Sequence, residues 1–317
     1  MRFELPVPDL TAERGGNTDT PGVWLFESDI PGPTILITGL VHGNELCGAW
    51  ALKYLLQAEL KPRCGRLIVA FCNLAAFDTF DANNHNASRY LDEDFNRVWT
   101  AERLSSGNSR EAQRARELQP WVEQADWLLD IHSMHEPCKP LLLTGVLPRN
   151  IALAQSLQTP EHIVIDAGHK NGSRMRDYRQ FGDPDSPALA LLIECGFHGD
   201  PDTVWVACDI MARMLIKSAV LREDDIPDGW LRASPADQKL LEVTEAVVAP
   251  SMDVRFASEW RGLDALPRRG DIIAWADGKP IVAPYDNCTL IMPSLQQLRP
   301  GVTIVRLARP VDLAFYG

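Results

Sequence analysis

PTILITGLVHGNELCGAWALKYLLQAEL, residues 33–60, changes texture twice. Its first eight residues form an apolar run that reads as a buried strand. From Glu45 onward the apolar residues recur at helical spacing. Between the two lies a short polar seam that places His42 and Glu45 three positions apart. Open α/β sheets gather their ligands at the carboxyl ends of strands, where this seam falls.

Working outward, strand-like runs recur with helical stretches between them. TILITGL, RLIVAFCN, DWLLDIH, PLLLTGV, HIVIDAG and ALALLIECG read as strands, and residues 45–60, 109–125 and 203–221 read as helices. Apolar strands alternating with helices predict an α/β sheet covered on both faces. Residues 222–239, REDDIPDGWLRASPADQK, are charged and poor in periodicity, and read as a linker. Beyond them, short strand-like pieces such as LLEVTEAVVAP, DIIAWADG and VTIVRLARP are separated by Gly, Pro and Asp turns. That texture suits a small all-β module.

The chain has 317 residues and a formal charge of -12. Its length is ample for a large core, and its charge argues against nucleic acid, whose phosphates need clustered Lys and Arg. No apolar run approaches the length of a bilayer span. The N-terminal stretch lacks a basic start followed by an apolar core, so no secretory signal is expected. Seven scattered cysteines without a C-x-x-C pair read as reduced thiols, which points to the cytoplasm. A homo-oligomer is compatible with all of this.

The polar seam admits several readings. GNELCG has the spacing of a phosphate loop, but Ala49 and Trp50 follow where Lys and Ser or Thr are needed. A metal site fits better, because zinc accepts imidazole nitrogen and carboxylate oxygen, and catalytic sites commonly supply three protein ligands. DWLLDIHSMHEP offers the third in His132, with Asp130 two residues earlier to orient an imidazole. His135 competes with His132 but reads as a loop or pocket residue, and His85, His162, His169 and His198 read as ordinary surface or loop histidines. Glu194 ends the most apolar strand, where an unpaired carboxylate is costly to bury; it is expected to face the cleft as a general base or to meet a cation. Cys195 with His198 forms a weaker, thiol-based alternative. In SRYLDEDFNRVW, Arg89, Asn96 and Arg97 offer two fixed charges and an amide, suited to clamping a carboxylate or a polarised carbonyl.

At these residues the sequence resembles the succinylglutamate desuccinylase and aspartoacylase family, relatives of the zinc carboxypeptidases. GLVHGNE is similar to the family's first zinc motif, RYLDEDFNR to its arginine motif, DIH to the segment of the third ligand and IECG to that of the catalytic glutamate. The resemblance implies one Zn2+ per chain held by His42, Glu45 and His132. It implies Glu194 as the catalytic base and Arg89 as the group that polarises the scissile carbonyl, with Asn96 and Arg97 holding the substrate carboxylate. It also implies a zinc carboxypeptidase-like mixed sheet flanked by helices over residues 1–222, followed by a small all-β C-terminal domain over 223–317.

The implied activity is zinc-dependent amidohydrolysis of a small N-acyl amino acid. A metallocarboxypeptidase on short peptides and a non-catalytic metal-binding module are the alternatives. The sequence also departs from the family. Aspartoacylases carry an arginine shortly before the catalytic glutamate, yet PDSPALALLI, residues 184–193, contains none. Arg174, Arg176 and Arg179 lie nearby at other offsets, and Tyr285 is not aligned with the tyrosine expected from the β domain. FDTFDANNHNAS, residues 77–88, adds length before the arginine motif.

Overall fold

A computed structural model describes residues 3–168 and 172–312. Up to residue 222 the chain forms β1 (Val23–Glu27), β2 (Thr34–Gly39), α1 (Leu46–Gln57), β3 (Arg66–Phe71), α2 (Leu74–Phe77), α3 (Ala101–Ser106), α4 (Arg110–Glu123), β4 (Trp127–Met134), β5 (Leu141–Leu143), α5 (Pro148–Ser156), β6 (His162–Ile165), β7 (Leu189–Phe197) and α6 (Asp202–Lys217). After it come β8 (Lys239–Val248), β9 (Val254–Phe256), β10 (Ala265–Leu266), β11 (Ile272–Ala276), β12 (Lys279–Val282), β13 (Cys288–Ile291) and β14 (Thr303–Val311). Every strand expected before residue 222 is present, and so are the three expected helices. Strand β1 and helices α2, α3 and α5 were not anticipated.

Eleven strands make one mixed sheet in the order β1-β3-β2-β4-β7-β5-β6-β8-β14-β13-β10. Its centre, β3-β2-β4-β7, is parallel. Successive side chains on these strands point to opposite faces. Ile35, Ile37, Leu129, Ile131, Leu191 and Ile193 pack with α1, α5 and α6. Leu36, Ile68, Leu128 and Ala190 face the other way, against α3 and α4. Both faces are therefore covered, which is why the strands read as unbroken apolar runs. Each fully buried Leu or Ile contributes roughly 1.5–3 kcal/mol.

The C-terminal strands divide between two sheets. β8 pairs in parallel with β6, and β14, β13 and β10 extend the large sheet beyond it. β12, β11 and β9 form a separate antiparallel sheet and share a small core with Leu290, Ile304 and Val305. The stretch between α6 and β8 holds one short turn of helix, Glu223–Asp225. Among the described residues no helix is long and apolar enough to cross a membrane.

This topology positions the site. β4 is flanked by β2 and β7, Thr38 is registered with Asp130, and His132 with Glu194. The three segments carrying His42, His132 and Glu194 therefore end side by side.

Candidate active site

The chain leaves β2 through Leu40, which takes a left-handed conformation at φ 55°, and enters α1 just after Glu45. Within that turn Gly43 N–H donates to the Arg89 carbonyl at 3.1 Å. A Cβ on Gly43 would lie 2.5 Å from Ser88 O and 2.4 Å from the Ala76 backbone. Only glycine lets the loop of His42 and Glu45 lie directly on the segment that leads to Arg89.

Two imidazoles converge on one carboxylate. His42 Nδ1 is 2.8 Å from Glu45 Oε1, and His132 Nδ1 is 2.7 Å from Glu45 Oε2. The second approach lacks hydrogen-bond alignment and leaves Glu45 Oε2 without a bonded partner. The two atoms face each other as lone-pair donors around a shared ion would. The far nitrogens meet carboxylates: His42 Nε2 lies 3.0 Å from Asp94, and His132 Nε2 lies 2.9 Å from Asp130. Asp130 is itself held by the Thr38 hydroxyl at 2.7 Å. An imidazole backed by a carboxylate is the usual outer arrangement of a metal-ligating histidine.

The ligand atoms of His42, Glu45 and His132 all lie within 4.8 Å of one another, and all three residues are buried. A donor set of two nitrogens and a carboxylate fits zinc. The electrostatics agree. Burial opposes charge on Glu45, yet the two imidazoles outweigh it and hold the carboxyl well below its ordinary value. Burial also opposes charge on His132, but Asp130 and Glu45 outweigh it and raise the imidazole well above its ordinary value. The cluster attracts positive charge.

A cavity of about 1100 Å³ opens over this cluster. Glu194 borders it from β7, with Oε2 buried and lacking a hydrogen-bond partner, and burial pushes its carboxyl up to about 8. Arg89 reaches in from the opposite loop, 3.4 Å from Glu45 Oε1 and 3.2 Å from Asp94 Oδ2. Arg97 also lines the cavity, and burial lowers its guanidinium to about 10. Asn96 borders the same space, but its amide is engaged. Nδ2 lies 3.1 Å from His132 Nε2, and Oδ1 accepts from Met175 N–H at 3.2 Å.

Residues 243–246 and 292–294 contribute the cavity's outer wall. Sequence reasoning missed Arg306, which comes from β14 and meets Arg174 at Asp166, at 3.2 Å and 3.0 Å. Arg174 and Arg306 both line the cavity. Arg176 is buried beside Gly145 and pairs with Asp177, and Arg179 pairs with Glu123 on the surface. Tyr285 does not line the cavity; its hydroxyl lies 2.7 Å from that of Thr244, which does. Cys195 is 1% exposed, and burial raises its thiol well above the ordinary value, which suits a core residue rather than a nucleophile. His162 lies at the start of β6, away from the cavity. His169 lies outside the described residues. His85, His135 and His198 form a cluster behind Arg89, which spacing in the sequence did not signal.

Residues 31–185 match the succinylglutamate desuccinylase/aspartoacylase catalytic domain. Over that stretch, just under half of the chain, it is similar to the succinylglutamate desuccinylase/aspartoacylase family. A probable aspartoacylase of Parasynechococcus marenigrum is 33% identical over 132 residues, which is 39% of this chain and 42% of that protein. An N-acyl-aromatic-L-amino acid amidohydrolase of Rattus norvegicus is 30% identical over 138 residues, 39% and 41% of the two chains. The matched segment thus spans about two-fifths of the length of these curated relatives. The succinylglutamate desuccinylase structure from Vibrio parahaemolyticus superposes with a TM-score of 0.66 at 17% identity, covering 92% of this chain and 87% of its own. That likeness establishes the fold.

Proposed function

We propose that this chain is a zinc-dependent amidohydrolase that cleaves the amide of a small N-acyl amino acid. The observation that carries the reading is the convergence of His42, Glu45 and His132 beside the buried Glu194 carboxyl. His42, Glu45 and His132 would hold one Zn2+, which when bound supplies Lewis acidity toward water and the substrate carbonyl. Glu194 takes the proton of the attacking water and returns it to the departing amine. Its raised pKa matches a group that must both accept and release a proton near neutrality. Arg89 donates to the carbonyl oxygen as negative charge develops there. Arg97, with Asn96 beside it, takes the substrate carboxylate and fixes the carbonyl against the water. Residues 223–317 act as a C-terminal β domain that narrows the site, a role supported by their share of the cavity wall.

The test is a panel of N-acetyl and N-succinyl amino acids against dipeptides, run on zinc-loaded and chelated protein. Hydrolysis of the acyl amino acids, lost on chelation, is expected. Faster cleavage of dipeptides would favour a carboxypeptidase, and full zinc binding without turnover on either class would favour a non-catalytic module.

A further inference from the structure

Behind Arg89 stands a chain of neutral polar side chains drawn from four separate segments. His198 is wholly buried, with Nδ1 2.7 Å from Ser133 Oγ and Nε2 3.3 Å from His135 Nδ1. The two rings meet edge to face at 84°, their centroids 4.8 Å apart. His135 Nδ1 also lies 2.8 Å from Asn86 Oδ1, and its Nε2 faces Arg89 Nη1 at 3.5 Å.

These contacts determine where the protons sit. Asn86 Nδ2 donates to Gln296 Oε1 at 3.4 Å, which leaves Asn86 Oδ1 as the acceptor facing His135. His135 therefore carries its proton on Nδ1 and its lone pair on Nε2, the side toward the guanidinium. Sharing that Nδ1 proton makes His198 Nε2 an acceptor too, so the proton of His198 goes to Ser133. Burial, aided by the charge of Arg89, lowers His135 to about 3, so the ring stays neutral. A guanidinium has only donors, and this neutral tautomer is the form of His135 that can meet it.

We propose that His135 is a positioning residue for Arg89: its Nε2 lone pair, oriented by Asn86 and the His198–Ser133 pair, holds the guanidinium toward the substrate carbonyl and off Glu45. The inference rests on the reading of Arg89 as the group that meets the carbonyl oxygen. Arg89 Nη1 has two acceptors at nearly equal reach, Glu45 Oε1 at 3.4 Å and His135 Nε2 at 3.5 Å. Without the imidazole Nη1 has Glu45 as its remaining acceptor, while Nη2 keeps Asp94 at 3.2 Å, and Arg89 settles on the metal site. The contact is long for a hydrogen bond, as catalytic contacts often are before substrate arrives.

The experiment compares His135→Leu and His135→Gln in the zinc-loaded full chain, each with and without Arg89→Gln, on N-acetyl-L-phenylalanine and N-acetyl-L-aspartate. Nitrogen-15 spectra of the histidine rings are recorded alongside. Expected are an unprotonated His135 Nε2 whose resonance moves in Arg89→Gln, and full zinc content in every His135 variant. His135→Leu should lower kcat by roughly 10- to 100-fold at nearly constant KM. His135→Gln should recover much of that loss, and His135→Leu should cost little more in the Arg89→Gln background. Additive losses, or a proton found on His135 Nε2, would overturn the positioning role alone. Wild-type turnover in Arg89→Gln would overturn the carbonyl role of Arg89 and this inference with it.

Discussion

Glu45 and Asp166 are buried carboxylates on the wall of one cavity, and they keep different company. Asp166 lies within 3.2 Å of two guanidiniums, those of Arg174 and Arg306. Glu45 lies within 2.8 Å of two imidazoles, those of His42 and His132. Guanidiniums stay charged near neutral pH, so the chain itself neutralises Asp166. Imidazoles are charged only after taking a proton and otherwise offer a lone pair. Asp166 is thus part of a closed ionic strut, whereas Glu45 has neighbours that can join it in binding a cation. Residue type around the carboxylate, more than burial, separates a structural pair from a candidate metal centre.

The comparison is broken most directly at Glu45. Glu45→Ala is expected to reduce zinc content to background and turnover to that of chelated wild type. Chelation should then no longer lower its melting temperature, because ligand-linked stabilisation is gone. Retention of a full equivalent of zinc would remove Glu45 from the ligand set. Glu194→Ala comes next: turnover should fall roughly 10²- to 10⁴-fold while zinc remains, as expected for loss of a general base. Wild-type turnover in that variant would move the proton-transfer role elsewhere.

Asp166→Asn should leave zinc content unchanged and strike stability instead. Removing one partner of a buried ionic group typically costs roughly 3–5 kcal/mol, here read from urea unfolding. Burial opposes charge on Asp166, but Arg174 and Arg306 outweigh it and hold the carboxyl well below its ordinary value. A lowered folded-state pKa contributes stability fully above the unfolded value and loses it as pH falls toward the folded one. Wild-type stability should therefore decline on acidification below about pH 4, and Asp166→Asn should show a shallower decline. Equal slopes would assign the acid sensitivity to other carboxylates. Smallest is Arg97→Ala, expected to raise KM for carboxylate-bearing substrates roughly tenfold with kcat nearly kept, a loss of uniform binding. An unchanged KM would take Arg97 out of the clamp.

The central strands were legible because burial on both faces leaves no polar alternation to interpret, as in the six buried residues of Thr34–Gly39. Strand β1 was hidden because it is an edge strand with mostly half-buried residues. Helix α5 is short and mixes polar with apolar residues, so its periodicity is weak. At the site, His42 and Glu45 could be read together because one turn of chain carries both, and His132 and Glu194 because each marks the end of an apolar run. Asn86, His135, His198 and Arg306 belong to four distant segments and share no spacing. Their proximity arises from tertiary packing, including the register shift between β4 and β7 just after His132. The histidine count of seven was a hint, since buried histidines need partners, but it did not say which.

The continuity of the large sheet has a practical corollary for anyone trimming the gene. Because β8 zips onto β6, stopping translation after residue 222 would bare the backbone donors and acceptors of His162–Ile165 along an open edge. Such an edge invites strand-by-strand self-association. A shortened product should collect in the insoluble fraction, and a soluble variant would need a covering strand supplied from outside.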